Sequence, residues 1–377
     1  MSQNMISIVE KVFKNLKTDI VNEVSLSAIP NKIYKLRPNA NYADEVSDIL
    51  QRSKYKIIII SSKIKCLLFS YRNEYYLLYP YDFDYGNYGN FVDGEPFVEG
   101  FGIIALSLSF LIPYPEKEFQ ILNEVFASDN NEFDYKCIAK FYKPFVLIKD
   151  TSKNIELCYT QDITRITALF LVKNSNFISL DLSTNTTSNF SELLLLKSSR
   201  NISDCIIRCL DSVSYEYCFL ELYRCVEFLF YIQIAQNIIK KYKIKPKLFD
   251  KIIDLVVERE IIKRENETLL SLFHIINEND VIQFYNFLLS CKYIDEPKKD
   301  KNGNENIDYY SITSSYIYKL RCRIAHFSYK HEIISSTYNW YELLEYFSTI
   351  VLNIYKNLND TIIDLCESNN DWTPITL

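Results

Sequence analysis

Met5, Ile8, Val9, Val12, Phe13 and Leu16 recur at steps of three and four residues, the apolar stripe of an amphipathic helix. Tyr42 to Leu50 predicts a second, shorter helix. The pattern then changes. Tyr55 to Ser61 carries four consecutive isoleucines, Ile64 to Tyr71 is short and rich in β-formers, and Glu74 to Tyr81 follows it across Arg72-Asn73. These segments predict strands, the last two paired as a hairpin. Further on, Glu116 to Phe126 predicts a helix, and Cys137 to Lys149, Ile155 to Thr160 and Phe177 to Leu182 predict strands. The first half therefore reads as α+β.

Five of the six glycines crowd into Gly86 to Gly102, which predicts an irregular loop, because glycine supplies the positive φ that turns require. Asp82, Asp84, Asp93, Glu95 and Glu99 lie in the same stretch. Without the spacing of an EF-hand they read as solvated loop carboxylates rather than as a cation site. No glycine there is followed by lysine, so a Walker A phosphate loop is excluded. Ser183 to Ser191, rich in Ser, Thr and Asn, has the composition of a linker. It places the end of an N-terminal α+β domain near residue 195 and the start of a C-terminal domain near residue 200.

The second half is apolar at helical spacing almost throughout. Ser203 to Ile239 predicts one long helix or two, with Lys240, Lys241 and Lys243 at its exit, where positive charge suits the helix dipole. Lys247 to Lys263, Thr268 to Ile276, Asp280 to Cys291, Ser311 to Ala325 and Tyr338 to Cys366 predict further helices, with a charged loop between Cys291 and Ser311. Residues 200–377 thus read as an all-α bundle.

A length of 377 residues suits two such domains, each able to bury its own core. The net charge of −6 argues against broad coating of duplex DNA and leaves room for a local basic cleft. The longest apolar run, Phe101 to Ile112, is too short to span a bilayer as a helix and reads as core. The first residues lack the basic and apolar regions of an export signal, and ten cysteines without a short even framework suit reduced thiols. The expected location is the cytoplasm, with no membrane partner. Cys205 and Cys209 have a spacing found in zinc sites. Cys218 and Cys225 stand alone on a helix, so the four read as buried small side chains and no metal or other cofactor is expected.

Only three histidines are present. His274 sits among apolar neighbours and reads as a core or groove residue, and His331 reads as an exposed residue of a basic turn. His326 closes the Ser311 to Ala325 helix, with Arg321 and Arg323 five and three residues before it. Arg323 and His326 share a helix face, and Arg321 reaches the same cleft if the helix unwinds near His326. A histidine at a helix C-terminus is favoured in its protonated form, giving a general acid or base beside a guanidinium able to grip phosphate. Such a pair cleaves RNA without a metal: one group moves protons at the 2′-hydroxyl or the leaving oxygen, and the other stabilises charge gathering on phosphorus. The plainer reading is a helix ended by dipole-matched charge.

Arg321, four intervening residues and His326, on the penultimate long helix of an all-α domain, resemble the Arg-X4-6-His signature of the HEPN superfamily. YKLRCRIAHFSY is similar to the form found in Apea-like HEPN domains, and Phe219 to Phe230, with its Leu-Tyr-Arg-x-x-Glu core, is similar to a second helix of that branch. Cys322 departs from the polar residue, often Asn, that usually follows the motif arginine. The resemblance covers about residues 200 to 370. It implies a metal-independent endoribonuclease, commonly a homodimer with a composite cleft, in which Arg321 and His326 are catalytic. Arg323 and Lys330 would hold substrate phosphates, as their charge suggests. Glu221, Arg224 and Glu227 recur on one helix face, and read first as an intrahelical salt-bridge ladder and second as residues that order the site. By the same analogy the chain is an anti-phage or toxin effector acting on cellular RNA, whose N-terminal domain senses a trigger or binds a regulatory partner. The rival reading is a non-catalytic HEPN module that binds nucleotide, RNA or a partner protein.

Overall fold

The computed structural model describes residues 5–20, 34–60, 64–80, 90–91, 95–149, 159–174, 178–242, 265–296, 307–325, 338–369 and 374–375. The predicted helix Lys247 to Lys263 lies outside them, as do His326, Lys330 and His331. The chain divides into two compact units, Met1–Leu157 with Thr376–Leu377, and Cys158–Ile375.

The first unit has a five-stranded antiparallel sheet of order β2-β3-β4-β7-β5. Its strands are β2 (Lys54–Ile59), β3 (Lys65–Tyr71), β4 (Glu74–Tyr79), β5 (Asn90–Phe91) and β7 (Val146–Lys149). A second, two-stranded sheet pairs β1 (Lys35–Arg37) in parallel with β6 (Glu132–Asp134). The hairpin from β3 to β4 turns through Arg72 and Asn73, both in the left-handed region at φ 51° and 64°. Helices α1 (Met5–Ile20), α2 (Ala43–Arg52) and α3 (Glu95–Ser107) pack together. Phe101 of α3 meets Phe69 of β3 at 4.5 Å and Tyr76 of β4 at 5.0 Å between ring centroids, so alternate side chains of the sheet and one stripe of α3 share a core.

Three expectations for this unit are corrected. The last part of the glycine cluster is helical: Gly100 and Gly102 lie within α3, and close packing is what requires them. A Cβ on Gly100 would stand 2.7 Å from Cγ2 of Ile49 on α2, and one on Gly102 only 2.1 Å from the hydroxyl of Tyr135. Glu99, read as a loop carboxylate, is buried and accepts the backbone N–H of Asn39 at 3.0 Å, with burial raising its pKa. Asp82, Asp84 and Asp93 lie outside the described residues. The strand expected over Cys137 to Lys149 is confined to β7, preceded by α5 (Tyr135–Ala139), since Pro144 cannot donate to a ladder. Glu116 to Phe126 is helical as expected, running from a 3-10 turn through α4 (Glu118–Ile121) into a π turn at Leu122–Phe126. Gly102→Ala is expected to lower stability by about 1–3 kcal/mol through overpacking against Tyr135. Urea denaturation of Gly102→Ala beside Gly102→Ala/Tyr135→Phe checks this, the second change relieving part of the loss.

The second unit is all-helical among its described residues apart from an isolated bridge between Tyr159 and Pro374. Two of its helices were not expected. Thr160 opens α6 (Thr160–Lys173) rather than closing a strand, and residues 178–182 form no strand. The supposed linker is mostly α7 (Thr184–Leu195), capped by the Ser183 hydroxyl accepting the Thr186 N–H at 2.9 Å. Its polar residues are used in packing: Asn189 donates to the Ser348 and Thr349 hydroxyls, and Asn185 to Glu345. The domain boundary therefore precedes α6 instead of following α7.

The rest follows the predicted periodicity: α8 (Ser203–Asp211), α9 (Tyr215–Tyr242), α10 (Glu265–Phe273), α11 (Glu278–Ser290), α12 (Tyr309–Ala325) and α13 (Trp340–Asn369). Ser203 to Ile239 is thus two helices. Cys218, Phe219, Leu222, Tyr223, Cys225 and Val226 are all buried, which makes α9 a central helix rather than a surface one. Tyr355 of α13 donates to the Cys225 carbonyl at 2.8 Å. Asp162 of α6, fully buried, accepts from Arg165 Nη1 at 3.0 Å and Arg200 Nε at 2.7 Å. No helix among the described residues is long and apolar enough to cross a membrane.

Candidate functional site

Arg321 lies four residues before the end of α12, on the face that meets α9 and α10. Its Nη2 donates to Oε1 of Glu227 at 2.9 Å, with the two side chains 22% and 31% exposed. The guanidinium carbon lies 5.7 Å from the centroid of the Tyr223 ring, within the range of a cation–π contact. Tyr223 and Glu227 are four residues apart on α9 and so present one face to α12. Burial works against the Arg321 charge, but the Glu227 hydrogen bond and the fields of Glu227 and Glu265 outweigh it, so the guanidinium is held charged even above its ordinary range. A guanidinium has five N–H donors, of which the Glu227 bond uses one.

Tyr223, which stands in the Leu-Tyr-Arg-x-x-Glu core and was expected to have no role of its own, faces Arg321. It is 1% exposed, its hydroxyl has no hydrogen-bond partner among the described residues, and burial with the nearby carboxylates of Glu227 and Glu265 pushes its pKa well up. The i to i+4 relation of Tyr223 to Glu227 was the available signal. Glu265, at the start of α10, had none, because nothing in its spacing ties it to α12.

The supposed ladder on α9 divides. Glu221 does pair with Arg224 within the helix, but it also accepts Nε of Arg208 on α8 at 2.7 Å, while Glu227 turns to Arg321. Two of the three residues thus tie helices together. Arg323 is not brought to Arg321. It is exposed, its Nη1 donates to the Tyr338 hydroxyl at 3.3 Å, and with Lys292, Tyr293, Ser315, Tyr316 and Lys319 it lines a groove of about 560 Å³ on another side of α12. Two residues apart on a continuous helix, the two arginines meet different neighbours; the unwinding near His326 on which a shared cleft depends falls outside the described residues. Cys322, at the position expected to be polar, forms a hydrogen bond with the Tyr318 hydroxyl one turn earlier.

His274 is exposed, not in a core or groove, and its ring lies 4.5 Å from that of Tyr310. Cys209, Cys218 and Cys225 are buried and Cys205 is partly so. Among the described residues no three His, Cys, Asp or Glu side chains converge as they would around a metal ion. Compared with protein-family models, with curated proteins and with solved structures, the chain matches none of them.

Proposed function

We propose that this chain is a metal-independent endoribonuclease of the HEPN type. The observation that carries the reading is Arg321, a partly exposed guanidinium fixed by Glu227 and the Tyr223 ring with donors left for a phosphate. In this reading His326 moves the proton of the attacking 2′-hydroxyl or of the leaving oxygen, while Arg321 stabilises the charge that gathers on phosphorus. Attack by the 2′-oxygen breaks the bond to the 5′-oxygen, leaving a 2′,3′-cyclic phosphate and a 5′-hydroxyl. Arg323 and Lys330 hold flanking phosphates, and a second copy of the chain completes the cleft. The N-terminal unit senses a trigger or a regulatory partner, and the biological setting is defence or toxin action on cellular RNA in the cytoplasm.

One observation favours the second reading, a binding or interaction module without catalysis: Glu227 already neutralises Arg321, as an ordinary interhelical ion pair does. Incubating purified protein with total cellular RNA in chelator, beside Arg321→Ala and His326→Ala, separates the two. The nuclease reading expects cutting by the wild type alone, with cyclic-phosphate ends. Binding of RNA without cutting, or cutting that survives both substitutions, removes these residues from any catalytic role.

A further inference from the structure

Ser311, Ser315, Lys319 and Arg323 recur every four residues on α12 and so share one face of it. All four line the groove of about 560 Å³, along which the helix rises about 18 Å from the first to the last. The other wall is the chain that leaves α11, with Lys292, Tyr293, Asp295 and Glu296. Lys292, Lys319 and Arg323 are exposed, and none of them forms an ion pair among the described residues, whereas Arg321 is already held by Glu227. Arg323 spends one N–H on the Tyr338 hydroxyl, which orients the guanidinium and leaves four donors.

The wall opposite α12 is built rather than loose. The Lys292 N–H donates to the Leu289 carbonyl and the Tyr293 N–H to the Leu288 carbonyl, both at 2.9 Å, with Lys292 at φ 57°. This is the Schellman end of a helix, where glycine is usual because a side chain is disfavoured in the left-handed region. A lysine at this position costs stability and sets a cation on the groove. The Tyr293 ring packs on Phe287 at 6.0 Å, on Tyr338 at 4.9 Å and nearly parallel to Tyr316 at 6.1 Å, and its hydroxyl accepts the Asn339 N–H. A ligand therefore meets a wall already in place, which lowers the ordering cost of binding.

The volume lies in the range of sites for small molecules. Three cations without carboxylate partners suit a phosphate. Asp295 and Glu296 supply acceptors for hydroxyl groups, and a tyrosine ring offers an apolar face beside a polar tip. The same two carboxylates disfavour a strand of phosphodiesters laid along the groove, since its successive charges would pass them. We propose that this groove binds a phosphorylated sugar, with the phosphate on Lys292, Lys319 and Arg323 and the sugar hydroxyls on Asp295 and Glu296. A free sugar phosphate and the ribose 5′-phosphate of a nucleotide share this chemistry. The site requires neither His326 nor RNA, so it goes beyond the nuclease reading and stands or falls apart from it.

The test is isothermal titration calorimetry of the folded, full-length chain in chelator with ribose 5-phosphate, AMP, ribose and inorganic phosphate. Ribose 5-phosphate or AMP should bind saturably, about tenfold or more tighter than ribose or inorganic phosphate, and Lys319→Ala and Arg323→Ala should each weaken that binding about tenfold, as loss of a charged hydrogen bond does. Lys292→Gly separates binding from structure: the thermal midpoint should rise as the left-handed strain is relieved, while affinity falls about tenfold. Tighter binding of AMP than of ribose 5-phosphate names a nucleotide as the source, and the reverse or equality names a free sugar phosphate; both support the site. The proposal is overturned if neither compound binds, if inorganic phosphate binds as tightly as both, or if all three folded variants keep wild-type affinity. It is also overturned if a single-stranded RNA oligomer without a terminal phosphate binds more tightly than either and loses affinity in the same variants, which would make the groove a strand path.

Discussion

Asp162→Ala should destabilise the helical unit by about 3–5 kcal/mol, the cost of leaving buried charge without its partner. Asp162 and Arg165 are fully buried and Arg200 is 4% exposed. The carboxylate receives Nη1 of Arg165, Nε of Arg200 and the backbone N–H of Tyr159, the last at 3.1 Å. Burial, reinforced by the Arg200 charge, already pulls Arg165 down to about 10 even though Asp162 holds it up, so at neutral pH the guanidinium is still charged. Alanine would take the shared carboxylate from between two cations in low dielectric, and the carbonyls of Leu194 and Leu195 that also receive Arg165 cannot replace a charge. Against a domain stability of about 5–15 kcal/mol, such a loss is large. Asp162→Asn keeps shape and one acceptor oxygen and should lose less. Urea unfolding followed by far-ultraviolet circular dichroism measures both, and a loss below about 1 kcal/mol for alanine would mean that water reaches the triad.

This triad illustrates which parts of the molecule could be read from the chain. Helices with a clear apolar stripe, such as α1, α2 and α13, announce themselves because the period of burial is local. The β3 to β4 hairpin does so too, because its turn residues and strands are contiguous. Helix α7 hides behind Ser, Thr and Asn, whose usual preference is for caps and turns. Here they are consumed by hydrogen bonds to Ser348, Thr349 and Glu345, some 160 residues away in sequence. Gly100 and Gly102 look like turn residues until Ile49 and Tyr135 are placed beside them. The same holds at the candidate site. Arg321 stands out by its spacing to His326, whereas its ties to Glu227 and Glu265 depend on which helices touch.

In the nuclease proposed above, Arg321→Ala is expected to reduce RNA cleavage by a factor of about 10²–10³, the effect of losing one preorganised donor at a site of developing charge. The substitution also takes from Glu227 its ion-pair partner beside the Tyr223 hydroxyl, which has no hydrogen-bond partner among the described residues, so a loss of activity through misfolding must be separated from a loss of chemistry. Arg321→Lys does this. It keeps a cation for Glu227, but its ammonium is a point donor that cannot serve carboxylate and phosphate in two fixed directions at once. Single-turnover cleavage by Arg321→Lys should fall by about tenfold or more while its unfolding midpoint stays near that of the wild type. Glu227→Gln runs the other way: the amide oxygen still accepts from Arg321, and the site loses a negative charge that competes with phosphate. RNA should then bind more tightly at low salt, with the difference shrinking as salt screens the field. If Arg321→Lys folds and cuts at the wild-type rate, the arginine acts only as a tie between α9 and α12 and has no part in the proposed chemistry.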